Sequence, residues 1–121
     1  MAQYLLSIYQ PEGAIPPKKD LDRVMARVGA VIQEARTAGV LVLNAGLAAP
    51  ATGRVVRLTG GETIVTDGPF AETKEYFGGF AIVQVRDLES AVGWARKLAS
   101  ALTVDGRDGL PIEVRALQEH S

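Results

Sequence analysis

Residues 54–75, RVVRLTGGETIVTDGPFAETKE, are the stretch that decides the fold. The first half predicts a β-hairpin, because residues 54–59 and 62–66 are two strand-like runs that flank Gly60-Gly61. A two-residue Gly-Gly connection suits a type I′ turn, in which both central residues need a positive φ. The second half, residues 67–75, is a loop that begins where the second hairpin strand ends.

Upstream of this stretch, the sequence predicts a strand, a helix and another strand. Residues 3–10 carry apolar side chains on both faces, which indicates a central strand buried on both sides. In the helix that follows, Asp20 is the predicted N-cap and Gly39 stands where a C′ glycine belongs. Residues 40–43 are continuously apolar and predict a short strand, which gives way to a loop over residues 44–50.

Downstream, a strand, a helix and a closing strand are predicted. The strand covers residues 80–85, after Gly78-Gly79 ends the loop, and Asp87 caps the second helix. Residues 112–117 alternate in polarity and indicate an edge strand. The order predicts a single α+β domain over residues 1–121, with a ferredoxin-like βαββαβ plan and an added hairpin.

The predicted sheet also implies an assembly. Two helices can cover only one face of the sheet, yet three strands carry apolar residues on both faces. Soluble monomers avoid a large exposed apolar patch, so we expect a homodimer that packs sheet to sheet. The alternative is that the hairpin folds over the uncovered face.

Composition excludes several classes of function. The chain has 13 basic and 14 acidic residues and a net charge of −1, so it lacks the basic surface that nucleic acid requires. It has no cysteine, which excludes disulfides and thiolate chemistry. No apolar run is long enough to span a membrane, no signal peptide is expected, and the expected location is the cytoplasm. No metal or cofactor motif is present, so no cofactor is expected.

Three stretches carry a family resemblance. They are residues 67–75 (DGPFAETKE), residues 78–80 together with 87–95, and the opening residues 4–9. With the element order, they make the chain resemble the DGPF branch of the YCII-related family. The resemblance implies a dimeric α/β barrel with clefts between the sheet and the loops. A few relatives look like enzymes on small aromatic rings, such as a dehydrochlorinase of chlorinated hydroxyquinols, and DGPF genes are associated with extracytoplasmic-function sigma factors.

The sequence departs from the family pattern at two places. More distant members pair a histidine near the start of the first helix with the loop aspartate, but residues 20–25 contain no histidine and the single one is His120. Many DGPF members carry a glutamate near Ala45, which this chain lacks. Both departures weaken the transfer of acid–base chemistry to this chain.

The loop supplies the candidate site residues. Asp67 is the candidate catalytic residue, as a general base or a group that orients a substrate hydroxyl, and that role would need burial or a neighbouring carboxylate. The alternative is an Asx turn in which Asp67 bonds the backbone amides ahead of it. Glu72 and Lys74 are candidate ligand-binding residues, against the alternative of a solvated charged loop.

Three further candidate ligand-binding residues are Phe70, Tyr9 and Asn44. Phe70 either plugs the core, which we favour, or lines a pocket wall. Tyr9 presents its hydroxyl to the pocket or packs in the core or at an interface. Asn44, after the second strand, is a candidate for the opposite rim.

These observations leave two functions open. One is a dimeric small-molecule-binding protein or enzyme, with proton transfer or elimination on a small polar or aromatic ligand at residues 67–75. The other is a non-catalytic accessory protein that works with an extracytoplasmic-function sigma factor. The sequence does not decide whether the protein is an enzyme.

Overall fold

The computed structural model describes residues 1–11, 16–103 and 109–119, and confirms the predicted mixture of two helices and antiparallel strands. His120 lies outside the described residues. The elements in chain order are β1 (Ala2–Pro11), α1 (Lys18–Thr37), β2 (Leu41–Gly46), a single 3-10 turn (Pro50–Thr52), β3 (Arg54–Thr59), β4 (Glu62–Asp67), β5 (Glu75–Val85), α2 (Leu88–Ala101) and β6 (Ile112–Ala116).

The main sheet has four strands in the order β2-β5-β1-β6, and all three pairings are antiparallel. β1 is central and β6 is an edge strand, as predicted. The order is consistent with a ferredoxin-like βαββαβ fold into which the β3–β4 hairpin is inserted between β2 and β5. The register places Leu6 of β1 opposite Ala81 of β5 and Val114 of β6.

Both helices pack on one face of this sheet and enclose the core. α2 contacts β1, β5 and β6, and α1 packs against α2 and β2. The buried core consists of Tyr4, Leu6, Ala81, Val83, Val85, Ala91, Ala95 and Leu98. Leu6 and Val83 are the largest fully buried side chains, which makes the β1–β5 pair the centre of the domain.

The two helix starts differ from one another. Asp87 is the N-cap of α2, as predicted, because its Oδ1 accepts bonds from the Ser90 amide at 2.9 Å and the Ser90 hydroxyl at 2.7 Å. The prediction for Asp20 was wrong. α1 begins earlier, at Lys18, with Pro17 at the N-cap position, so Asp20 lies in the first turn. There its carboxylate still favours the positive end of the helix dipole.

The cap predicts a measurable pH dependence. The hydrogen bonds from Ser90 lower the pKa of Asp87 below its ordinary value of 3.8. Folding therefore favours the ionised form, and the stability this gives is present above pH 3.8 and lost as the pH falls through the lowered pKa.

Asp87→Ala should melt a few degrees below the wild type at neutral pH. Asp87→Asn keeps a cap but cannot titrate, so it should lose this part of the acid sensitivity in melts between neutral and acidic pH. Equal melting of Asp87→Ala and wild type would contradict the cap.

The β3–β4 hairpin, hereafter the arm, is confirmed. Gly60 and Gly61 both have positive φ, 59° and 82°, as a type I′ turn requires. The arm forms a separate two-stranded sheet. Its two strands contact each other extensively and contact the other elements little. It therefore does not fold over the uncovered face of the main sheet, which was the alternative to a dimer.

Two strands extend at least three residues beyond their predicted bounds. β2 continues through Asn44 to Gly46, and β5 begins at Glu75 rather than at residue 80. β5 pairs with the end of β1 from the start, with Glu75 opposite Pro11 and Phe77 opposite Tyr9. The loop between the arm and β5 is consequently reduced to residues 68–74.

The face of the main sheet that points away from the helices carries no packed helix or strand in the described part of the chain; we call it the open face. Leu5 and Leu43 both lie opposite Ile82, and Ser7 lies opposite Phe80, so these side chains share that face. Aromatic residues extend the face toward one end of the sheet. The ring centroids of Tyr9 and Phe77 are 6.0 Å apart, and those of Phe77 and Phe80 are 6.2 Å apart.

Candidate functional site

The base of the arm is tied to the segment that precedes it. Arg54 and Asp67 lie opposite each other at the base of the arm, with Arg54 Nε 3.3 Å from Asp67 Oδ1. The Gly68 amide donates to the Gly53 carbonyl at 2.9 Å, and the Leu47 amide donates to the Gly78 carbonyl at 2.9 Å. The Gly68–Pro69 peptide bond is cis. These contacts hold residues 47–53, 68–73 and 75–77 around one space.

That space is an open cavity of about 530 Å³. The lining residues are 47–50, 52–55, 68–71, 73 and 75–77. Its volume falls in the usual range for small-molecule pockets, roughly 300–1,000 Å³. Leu47, Pro50 and Val55 contribute aliphatic wall, and Phe70, Tyr76 and Phe77 contribute aromatic wall. The cavity is therefore mainly apolar.

A few polar groups reach the same space. Arg54 and Glu75 are charged residues of the lining, and the Arg54 guanidinium already pairs with Asp67 and donates to the Gly53 carbonyl at 3.2 Å. Two hydroxyls are already engaged with backbone, since Thr52 Oγ1 donates to the Ala49 carbonyl at 2.6 Å and Thr73 Oγ1 donates to the Glu75 carbonyl. The Tyr76 hydroxyl donates to Gln10 Oε1 at 2.9 Å, and Gln10 is not among the lining residues. Arg54 and Glu75 are thus a cationic and an acidic residue of the lining.

Phe70 is the predicted site residue that the structure brings to this cavity. The expectation that Phe70 plugs the core was wrong, since 75% of its surface is exposed. On the surface its ring lies under the guanidinium of Arg57, whose carbon is 5.5 Å from the ring centroid. A cation over an aromatic face stabilises a ring outside the apolar core.

Asp67 ends β4, as predicted, and lies outside the cavity lining. The side chain is 83% exposed, so the burial that a general base would need is absent. The Asx-turn alternative was also wrong, because the Gly68 amide donates to the Gly53 carbonyl and the next residue, Pro69, has no amide hydrogen. Its carboxylate instead pairs with Arg54 across the base of the arm.

The other four predicted residues lie outside the cavity lining. Glu72 and Lys74 are exposed on the loop between the arm and β5. Tyr9 lies on the open face, packed near Phe77 and one residue removed from the cavity wall. Asn44 lies opposite Ala81, so it stands on the helix-facing side of the edge strand β2. The structure does not bring these four side chains together.

Sequence reasoning missed the residues that form most of the cavity. Leu47, Pro50, Thr52 and Arg54 come from the segment before the loop, and Tyr76 and Phe77 from its far side. The paired aromatics at the start of β5 were the one available signal, because adjacent aromatic residues beside a loop often mark a ligand wall. The small residues of 47–53 give no comparable signal.

A second cavity, of about 690 Å³, lies near the two chain ends. Six residues line it, namely Met1, Gln3, Gln84, Leu117, Gln118 and Glu119. It contains no aromatic wall, and terminal residues form most of it. The first cavity is therefore the better candidate for a specific ligand.

Two classes of site were also sought in the described residues. No three potential ligands among His, Asp and Glu side chains there come close enough together to hold a metal ion. No helix in residues 1–11, 16–103 and 109–119 is long and apolar enough to cross a membrane.

Comparison with known proteins gives two matches. The family model of the YCII-related domain matches residues 2–103. An uncharacterized protein of Rhizobium meliloti (strain 1021) is 40% identical over 84 residues, which cover 69% of this chain and 68% of that protein. The family-model match includes the arm, the loop and the cavity walls described above.

Proposed function

This chain belongs to the YCII-related family, and from that premise we propose that it binds a small molecule in the cavity beside residues 68–74, as a homodimer. One observation carries the proposal. The loop that distinguishes the sequence lines a mainly apolar cavity of about 530 Å³, whose other lining residues include Tyr76, Phe77 and Arg54.

The lining favours one class of ligand. Phe70 and Phe77 offer flat apolar surfaces, which suit a small aromatic ring. Arg54 has five N–H donors, and those that do not bond Asp67 or Gly53 match a carboxylate or a phenolate oxygen on the ligand. A small aromatic acid or phenol fits both features.

The catalytic form of the proposal assigns the carboxylate to Glu75. Of the acidic residues, Glu75 belongs to the cavity lining, whereas Asp67 and Glu72 do not. In an elimination, this carboxylate would accept a proton from the ligand while the leaving group departs with its bonding electrons. In the non-catalytic form, the same residues bind the ligand without this step.

The homodimer is supported by the open face. Leu43 and Phe77 are exposed there, beside the half-buried Leu5, Phe80 and Ile82. A continuous apolar face of this kind is typical of an interaction surface. Phe77 belongs both to this face and to the cavity wall, so a second copy packed on the face would also narrow the mouth of the cavity.

The regulatory alternative, a partnership with a sigma factor, rests on family resemblance alone. The cavity is a specific observation that favours ligand binding, so we carry that function forward.

Thermal shift with a panel of small aromatic acids and phenols tests the proposal. A ligand at 100 times its Kd should stabilise the wild type by about 2.7 kcal/mol. Phe70→Ala removes a cavity wall that is already exposed, so it should keep the fold and lose most of the ligand-induced shift. Met25→Ala is the matched control, because Met25 is also exposed but lies on α1, away from the cavity.

The control variant should keep the full shift. If the same compounds stabilise Phe70→Ala and wild type equally, the ligand binds elsewhere and the proposal is wrong. A panel in which no compound stabilises the wild type would also count against it.

A further inference from the structure

The arm is the part of the fold whose stability the single chain does not explain. Its two strands, β3 and β4, pair with each other and have few close contacts with any other element. An isolated two-stranded hairpin is at best marginally stable in water and needs a further layer to pack on. The arm therefore needs a surface that residues 1–11, 16–103 and 109–119 of the same chain do not provide.

The two faces of the arm differ. Arg57 and Ile64 lie opposite each other on one face, and the guanidinium of Arg57 covers Phe70, so this face is turned toward the loop. Val56 lies opposite Val65 on the other face, with Leu58 two residues further along the strand. We call Val56, Leu58 and Val65 the arm stripe. All three are among the most exposed large apolar residues, at 64%, 73% and 60%.

The open face of the main sheet is a second apolar surface that the described residues leave uncovered. With strands about 4.8 Å apart and residues about 3.3 Å apart, the 32 residues of the four strands cover roughly 500 Å² in projection. A standard protein interface buries about 800 Å² on each partner. The arm stripe side of the hairpin adds roughly 200 Å² per copy by the same spacings. The area of the sheet-to-sheet contact alone is below that of a standard interface. The arm stripe brings the contact area on each copy closer to the standard size.

From these surfaces we propose that the arm of one copy packs its stripe against the open face of a second copy. This inference rests on the homodimer of the proposed function and adds how it is made. In a two-fold dimer, each arm contacts the partner's sheet. The arm stripe and the open face of both copies are then buried. Since Phe77 belongs to both the open face and the cavity wall, the incoming arm borders the partner's cavity and completes the site there.

Charge substitution in the arm stripe is the first test. Leu58→Glu and Val65→Glu place a carboxylate in the proposed contact, and the dimer should weaken by roughly 100-fold or more, as expected for a hot-spot residue. Met25→Glu is the matched control, since it adds the same charge at an exposed apolar residue on α1. Light scattering over a concentration series should show monomers for the arm variants and dimers for the control and the wild type, with circular dichroism verifying the fold.

Cross-linking is the second test and does not depend on a variant that might unfold. The chain has no cysteine, so single cysteines can be placed cleanly. Leu58→Cys protein mixed with size-tagged Leu43→Cys protein and a short bis-maleimide should give a heterodimeric product. Leu58→Cys mixed with Met25→Cys should give none.

The outcomes separate this inference from the proposed function. A dimer that survives Leu58→Glu and Val65→Glu, with no product between positions 58 and 43, would overturn the arm contact and leave the sheet-to-sheet dimer standing. A wild type that is monomeric at micromolar concentration would overturn both. Ligand binding in the cavity of such a monomer would leave the proposed site intact.

Discussion

Replacing Leu6 with alanine is expected to lower the free energy of unfolding by about 2–5 kcal/mol. Leu6 is fully buried on the central strand β1, opposite Ala81 and Val114, and packs in the core beneath α2. Because strands on both sides fix its backbone, the site cannot collapse to fill the cavity left by the lost methyl groups. Domains of this size are stable by only about 5–15 kcal/mol, so the loss is a large fraction.

Urea unfolding followed by circular dichroism measures this effect. With a slope of roughly 1–3 kcal/mol per molar urea, the midpoint should fall by about 1 M or more. Leu88→Ala is the matched control, because Leu88 is half-exposed at the start of α2 and should cost less than about 1 kcal/mol. Equal midpoints for the two variants would show that the core is not centred on the β1–β5 pair.

Replacing Gly68 with alanine is expected to distort the cavity and to abolish ligand-induced stabilisation. A Cβ at this position would be forced against the Pro50 carbonyl oxygen and would lie 3.2 Å from the Gly53 carbonyl oxygen. Both atoms are backbone, so the segment 50–53 has to move away from the loop. Pro50, Gly53 and Gly68 all line the cavity, and the Gly68–Gly53 hydrogen bond joins its two sides.

The free energy of unfolding should fall by about 1–3 kcal/mol, as in other overpacked sites. Gly93→Ala is the control. Gly93 lies in α2 with nothing within 4 Å of an added Cβ, and alanine there should stabilise the helix by up to about 1 kcal/mol without affecting binding. Thermal shift with the panel of aromatic acids and phenols checks both variants. Unchanged ligand stabilisation in Gly68→Ala would mean that this contact does not shape the binding site.

Short sequence patterns predicted the turn of the arm and the start of α2, because neighbouring residues determine both features. Gly60-Gly61 fixed the arm, because a type I′ turn needs two residues with positive φ, and Asp87 marked the start of α2 through its own hydrogen bonds with Ser90. The start of β5 was missed for a tertiary reason. Gly78-Gly79 reads as a loop, but here the pair lies in a strand that passes close to its neighbours, since a Cβ on Gly79 would come within 3.1 Å of the Ala45 carbonyl oxygen.

The sequence indicated where along the chain a cavity would form, but it did not indicate most of the residues that line it. Residues 67–75 lie beside the cavity, and Phe70 lines it, although the favoured interpretation placed this side chain in the core. The opposite wall comes from residues 47–53, which reach the loop through the Leu47–Gly78 and Gly68–Gly53 hydrogen bonds. Such pairings depend on the sheet register and leave no motif in the sequence. Charge alone made Asp67, Glu72 and Lys74 conspicuous, yet none of the three lines the cavity.

The most direct test of ligand binding is amide chemical-shift mapping of the isotope-labelled wild type during titration with the best compound from the panel. We predict saturable shifts concentrated in residues 47–55 and 68–77, around the cavity of about 530 Å³. The same titration of Phe70→Ala should need a higher ligand concentration to saturate. Shifts that concentrate around Met1, Gln84 and Leu117 at the second cavity, or that do not saturate at residues 47–55 and 68–77, would contradict the proposed site.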